Sequence, residues 1–283
     1  KNLLTMSIEH EAIISSDVTN TKVEHHTHFK RPTQAMLAWQ DLTEGLAKWP
    51  IWLTLAYRDI SVRYRRSVLG PFWLTLSMAI TIYTMGYLYG HLFHTDLQRY
   101  YPLLAAGILT WGLLSNIITE ATEAFSTTTA LIEQIKLPFT LYIHRVIARN
   151  MIIFFHNIVV MIPILLMFHE YAKLNWCILL LIPGLFAVYV NAFIFSAIFA
   201  MIGARYRDVS QIIRSLVQVI FFVTPVMWEP AVLPAHDRIF VDLNPFYAFI
   251  ELIRAPLLGK TPTLQNVEMV ALMTLLGGLF AAK

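Results

Sequence analysis

Cysteine is all but missing from this chain of 283 residues: Cys177 stands alone, so no disulfide framework exists, and in its apolar surroundings it reads as a small buried hydrophobe. Charge is thin as well. Only 14% of residues are Asp, Glu, Lys or Arg and 57% are hydrophobic, against roughly 25% charged in a soluble domain, so the balance is that of a bilayer protein. A net charge of +3 is too small for a nucleic-acid footprint, and no nucleic-acid partner is expected. Glycine and proline are spread through apolar runs rather than gathered in linkers, which membrane helices tolerate because their neighbours re-satisfy the backbone.

Chemistry is also sparse inside those runs. An ion-coupled transporter or proton pump would carry Asp, Glu or Lys near mid-membrane, and here only His156 lies deep in a run. Beside Asn157 it reads as an interhelical hydrogen-bonding group rather than a proton relay. The triplet Gly259, Lys260, Thr261 is not a phosphate-binding loop, because Arg254 stands where the motif needs a glycine and no buried strand precedes it. If ATP drives this protein, another polypeptide must bind it. His25, His26 and His28 have no acidic or cysteine partner at useful spacing, so no metal is expected. Asp208, between Arg205, Arg207 and Arg214, reads as an ion-paired corner rather than a catalytic acid. A membrane-bound glycosyl- or acyltransferase would have to work through His156 or Asp208.

What is present is a series of six apolar runs at residues 72–93, 101–118, 151–168, 174–204, 215–228 and 264–282, each near or approaching the ~20 residues that cross a bilayer. They predict an all-α integral membrane protein with both termini on one side. Arg58, Arg63, Arg65, Arg66, Lys136, Arg145, Arg149, Arg205, Arg207 and Arg214 flank that side, which marks it as cytoplasmic. Residues 1–35 are polar, mixed in charge and without a signal-peptide core, and read as a flexible tail. Residues 36–66 form an amphipathic region and residues 67–283 the six-span domain.

Pro50 suits the first turn of a helix whose Leu53, Ala56, Ile60 and Tyr64 share one face, with Arg58, Asp59, Arg63 and Arg66 falling away from it. Such a helix lies along the inner membrane surface, the alternative being a simple extension of the first span. Between the second and third runs, Ser126 to Thr129 offer capping hydroxyls, Leu131, Ile132 and Ile135 give a short apolar face, and Pro138 ends the element. The segment at 225–262 is too apolar for a solvated loop and too charged to span, so short re-entrant helices are expected. On the first span Trp73, Leu76, Ile80, Tyr83 and Tyr87 recur at helical spacing. Aromatic rings stack on sugar faces and phenols bond sugar hydroxyls; interfacial anchoring by Trp73 and bundle packing by the tyrosines fit the same pattern.

Four stretches, "RDISVRYRRSVLGPFW" at 58–73, "IKLPF" at 135–139, "ARYRDVSQIIRSLVQVIFFVTPVMW" at 204–228 and "LNPFYAFIELIRAPLLG" at 243–259, together resemble one family. It is the permease subunit of ABC transporters that export bacterial cell-surface polysaccharides, of the O-antigen (Wzm-like), capsule and teichoic-acid type. The resemblance implies a homodimer in the bacterial inner membrane with two copies of an ATPase subunit that binds ATP and Mg. The substrate it implies is an undecaprenyl-diphosphate-linked polysaccharide moving through a passage at the dimer interface. Carried onto this sequence, the passage is lined by Trp73, Ile80, Tyr83, Tyr87, Gln218, Phe221 and Phe222. The ATPase docks on Leu131, Glu133, Gln134, Lys136 and Pro138. Arg58, Arg63, Arg65 and Arg66 meet the lipid diphosphate or membrane headgroups. Trp228, Glu229, Asn244, Pro245, Glu251 and Arg254 form a periplasmic gate. A smaller glycolipid or drug exporter of the same architecture is the alternative.

Overall fold

The computed structural model describes residues 33–172 and 175–281; His25, His26, His28 and nearly all of the expected tail lie outside them. The chain divides into two units, 1–39 and 40–283. Of the first, only residues 33–39 are described, where helix α1 (Gln34–Ala47) begins.

Among its described residues the larger unit is built from helices joined by turns and irregular segments, with no strand. Helix α2 (Trp49–Arg63) carries Pro50 in its first turn, as the sequence predicts, since the missing N–H costs nothing there. Gly70, at φ +54, and Pro71 make the turn into α3 (Phe72–Leu92). Asp96 caps α4 (Leu97–Ala121) by accepting from the Gln98 N–H at 3.0 Å. A short α5 (Thr129–Gln134) leads to α6 (Phe139–Asn157), which continues through a 3-10 turn into α7 (Met161–Met167). Another 3-10 turn, Trp176–Leu180, opens α8 (Leu181–Arg205). After α9 (Val209–Val223) come the short α10 (Ile239–Asp242) and α11 (Pro245–Leu257), then α12 (Leu264–Ala281).

Among the described residues, four stretches are long and apolar enough to cross a membrane: Leu97–Ala121, Phe139–Met167, Trp176–Arg205 and Leu264–Ala281. The two other runs read from the sequence correspond to α3 and α9. Helix α3, with 21 residues, reaches about 31 Å, but its threonines and tyrosines dilute its apolar character. Helix α9 has 15 residues and reaches about 22 Å. Two boundaries differ from expectation. The third run was expected from residue 151, yet its helix starts at Phe139, because Arg145 and Arg149 are paired inside the protein. The fifth was expected over 215–228, yet α9 covers Val209–Val223, and the residue before Pro225 is pushed out of helical geometry.

Helix α4 is the hub: Ala105, Ala106, Leu109 and Ile117 are buried in one core with Ile143 and Ile147 of α6 and Ile250 and Ile253 of α11. In a bilayer such contacts are held by close packing rather than by escape from water, which favours small residues where helices touch. Gly203 of α8 lies against the Thr122 backbone at the end of α4, and Gly107 of α4 against the Val226 carbonyl just past α9. These contacts define two ends. One gathers the termini of α2, α4, α6, α8 and α9 with α5; the other gathers the start of α4, the Glu229 segment and α11.

Candidate functional site

At the first end, α2 leans along α6. Asp59 accepts a two-pronged bond from Arg145, at 2.8 and 2.6 Å, and another from Arg149 at 2.9 Å. Arg149 also reaches Glu120 at 2.7 Å, and Arg63 stands 4.0 Å from that same carboxylate. The side chains of Asp59, Arg145 and Arg149 are only 17–18% exposed. The network therefore survives desolvation only because each carboxylate is met by charged, directional donors. This corrects the expectation that Asp59 faces away from the packed side of α2. Ala56 and Ile60 do pack inward, while Leu53 stays exposed. Arg58, Arg65 and Arg66 are exposed and none makes an ion pair among the described residues. Of the four arginines proposed for headgroup contact, the structure thus ties only Arg63 to the protein.

Beyond this network α5 projects from the bundle. Leu131 is half-buried, Glu133, Gln134 and Lys136 are exposed, and Pro138 is buried at the start of α6. The hydroxyls of Ser126, Thr128 and Thr129 do not cap α5 as expected; each donates back to a carbonyl three or four residues earlier. Phe139 and Thr140 N–H groups, left without an N-cap side chain because Pro138 precedes them, donate to Asp41 at 2.7 and 2.9 Å. Asp41 is thus a cap supplied from a distant helix, and its charge complements the positive end of α6.

Helices α3 and α9 leave patterned faces outside. Thr75, Ile82, Gly86 and Gly90 of α3 are buried, so the opposite face shows Trp73, Ile80 and Tyr87. Tyr83 is half-buried at the flank, with its carbonyl accepting from the Tyr101 hydroxyl at 3.2 Å. On α9, Gln211, Ser215, Gln218 and Phe222 are exposed along one stripe, and Ile212, Leu216, Val219 and Val223 along the next. Phe221 is different: it turns inward onto Trp111, ring centroids 5.5 Å apart, and does not share the surface of Phe222.

At the second end, Arg254 is fully buried, 2% exposed. It pairs with Glu251 and donates to the Pro225 carbonyl at 2.8 Å. Asn244 caps α11 by accepting from the Phe246 N–H and donates to Thr224 Oγ1 at 2.9 Å. Arg99 at the start of α4 pairs with Glu229. Trp228 and Pro245 are half-buried beside them. Tyr247 lies under the Arg254 guanidinium, 5.7 Å to the ring centroid, and burial pushes its hydroxyl up to about 12, so the phenol stays neutral. Glu251 and Arg254 therefore hold this region together from inside rather than line a surface.

Two readings need further correction. Arg214 pairs with Glu123, and Asp208 makes no ion pair among the described residues. Cys177 is half-buried rather than enclosed. The sequence reading also missed His144, which lies 2% exposed between Trp52, Tyr189 and Phe193, its Nδ1 2.7 Å from the Tyr189 hydroxyl. His156 stays exposed and bonds the Ile152 carbonyl of its own helix. A third-run helix extended back to Phe139 would have placed Arg145 and Arg149 on successive turns of one face, with His144 beside them, the one signal that could have found them.

Comparison with known proteins agrees with this architecture. Proteins named O-antigen export system permease protein RfbA, from Klebsiella pneumoniae and Myxococcus xanthus, are 18% and 21% identical to the chain over 202 residues. The match covers 70% of this chain and 76% of each relative. With residues 51–258 matched by the family's pattern, most of its length, the chain belongs to the ABC-2 type transporter family.

Proposed function

We propose that this chain is the membrane subunit of an ATP-driven exporter of lipid-linked polysaccharide of the O-antigen type. Family membership makes it a multi-pass transmembrane subunit of an ABC transporter, with ATP hydrolysis on a partner subunit. The names of its relatives support the substrate class. The finer reading is a homodimer in the bacterial inner membrane, both termini cytoplasmic, six spans per copy, each copy docking one ATPase subunit that binds ATP and Mg.

One observation carries the reading: α9 exposes a polar stripe of Gln211, Ser215 and Gln218, free of charge beyond Arg214, beside the apolar Ile212, Leu216 and Val219. Lipid tails offer such amides no partner, so they favour a wet passage or another copy of the chain. With Trp73 and Tyr87 of α3 opposite, the walls would combine aromatic faces, amides and hydroxyls and carry no fixed charge. Many weak contacts of similar strength let a sugar chain advance one unit at a time, whereas an ion pair would hold it at one register. Motion is delivered through α5, whose Glu133, Gln134 and Lys136 stand free for an ATPase cleft, while Asp41 and the Asp59 network carry displacement into α6 and α2.

The test is deletion of the gene in the organism that carries it, with surface polysaccharide and lipid-linked polymer measured before and after. Surface polysaccharide should vanish and lipid-linked polymer accumulate inside the cell. Restoring the chain with Glu133→Ala and Lys136→Ala should leave membrane insertion normal and release the ATPase subunit on purification. Unchanged surface polymer after deletion would overturn the reading.

A further inference from the structure

Where α8 turns into α9, a polar cleft of about 520 Å³ opens at the end of the bundle that also carries α5. Glu123 and Ser126 form one wall, and Arg207, Ser210, Gln211 and Arg214 the other. The spacing of the walls is set by backbone contact: a Cβ at Gly203 would strike the Thr122 carbonyl, so the ends of α8 and α4 touch directly. Arg214 spends part of its guanidinium on Glu123, while Arg207 is exposed and makes no ion pair among the described residues. Two guanidinium groups against one carboxylate leave the cleft net positive. The Ser210 hydroxyl and the Gln211 amide add further donors.

A neutral sugar polymer needs no such site. Guanidinium forks beside hydroxyl donors match the oxygens of a phosphate or diphosphate, and a concave wall lets several of them reach one group. The exposed Arg58, Arg65 and Arg66, by contrast, line neither this cleft nor the neighbouring one between Arg63, Glu120 and Arg149. Location adds the second argument. Gln211 belongs both to the cleft and to the polar stripe of α9, and the apolar stripe Ile212, Leu216 and Val219 runs alongside. A ligand with an anionic head in the cleft would lay an apolar tail along the second stripe and hold whatever its head carries at the foot of the first.

We propose that this cleft binds the phosphate or diphosphate group of a ligand at the foot of α9. Identifying that group as the linker of a lipid-borne polymer rests on the export reading above; the phosphate site itself does not. Arg207 is the residue that contacts the ligand directly, and Arg214 shares it with Glu123.

The experiment uses the full chain in nanodiscs of zwitterionic lipid, with two probes measured by calorimetry: inorganic diphosphate in solution, and farnesyl diphosphate in the bilayer. Arg207→Gln should weaken binding about tenfold, the loss of one charge-assisted contact, with Arg207→Lys between it and the parent. Arg65→Gln should change it by less than about twofold. Elution volume and helical content should stay the same in all three. Binding of both probes places the affinity in the phosphate group, and binding of the farnesyl compound alone adds the tail; either result upholds the site and identifies its source. Equal affinity in the parent and Arg207→Gln, no binding of either probe, or loss through Arg65→Gln instead would overturn it. So would an Arg207→Gln protein that keeps the probes and loses the ATPase subunit, since the cleft would then dock protein. Export that proves independent of this chain while the probes still bind refutes the exporter reading and leaves the cleft standing.

Discussion

Arg254 Nη1 donates to the carbonyl oxygen of Pro225 at 2.8 Å, joining α11 to the backbone break where α9 ends. Past Thr224 the chain leaves the helix, so the carbonyls that follow have no helical donor, and in a bilayer water does not supply one. Arg254 answers one of them while Glu251 neutralises its charge.

Replacing Arg254 should therefore be among the most damaging single changes in the described chain. Arg254→Ala leaves a half-buried Glu251 without its partner and should cost about 3–5 kcal/mol of stability. Arg254→Lys keeps the charge, loses the fork and should fall between. Thermal unfolding of the detergent-solubilised chain measures both, and a change within about 0.5 kcal/mol, the range of ordinary surface substitutions, would contradict the role.

The Asp59 network predicts coupling rather than a simple sum. Asp59→Ala strands Arg145 and leaves Arg149 only Glu120, in a site where both arginines are less than one-fifth exposed, and should cost about 1–3 kcal/mol. The double variant with Arg145→Ala should cost less than the two single changes together, by about 0.5–3 kcal/mol. Additive losses would mean that the pair is incidental.

Asp41 should be read out locally. Asp41→Ala removes the acceptor for the first two amides of α6 and should cost about 0.5–2 kcal/mol, the range for a lost cap. Amide exchange at Phe139 and Thr140 should quicken, and Asp41→Asn, which keeps one acceptor oxygen, should quicken it less. Unaltered exchange at both amides would show that Asp41 does not hold the junction after α5.

Two glycines should respond in opposite directions. Gly203→Ala drives a methyl into the Thr122 carbonyl and should destabilise by about 1–3 kcal/mol. Gly278 has open space around it, and Gly278→Ala should stabilise α12 by up to about 1 kcal/mol. Melting curves of the two variants settle whether close backbone contact at Gly203 sets the geometry.

The parts of this architecture legible in the sequence are those that depend on neighbours along the chain. Pro50 marks the first turn of α2, Pro138 ends the element before α6, and the spacing of Trp73, Ile80 and Tyr87 identifies the face that α3 leaves exposed. Features that depend on distant partners were not legible. Charge was read as a sign of water, so Arg145 and Arg149 seemed to precede a span, when Asp59 and Glu120, 86 and 29 residues away from their partners, let them enter one. The burial of Arg254 was not legible either: arginine is rarely buried, and it is the pairing with Glu251 and the Pro225 carbonyl that permits it. Phe221 and Phe222 are adjacent in sequence and point apart, which helical spacing allows but cannot rank without knowing that Trp111 lies on one side.

The central claim is that the polar stripe of α9 faces a wet passage, and thiol labelling tests it most directly. In a Cys177→Ser background, Gln218→Cys and, as a lipid-facing control, Phe280→Cys on the exposed side of α12 are treated in membranes with a charged, impermeant maleimide. The account predicts that Gln218→Cys reacts and Phe280→Cys does not. A Gln218→Cys thiol as inert as the control would contradict it.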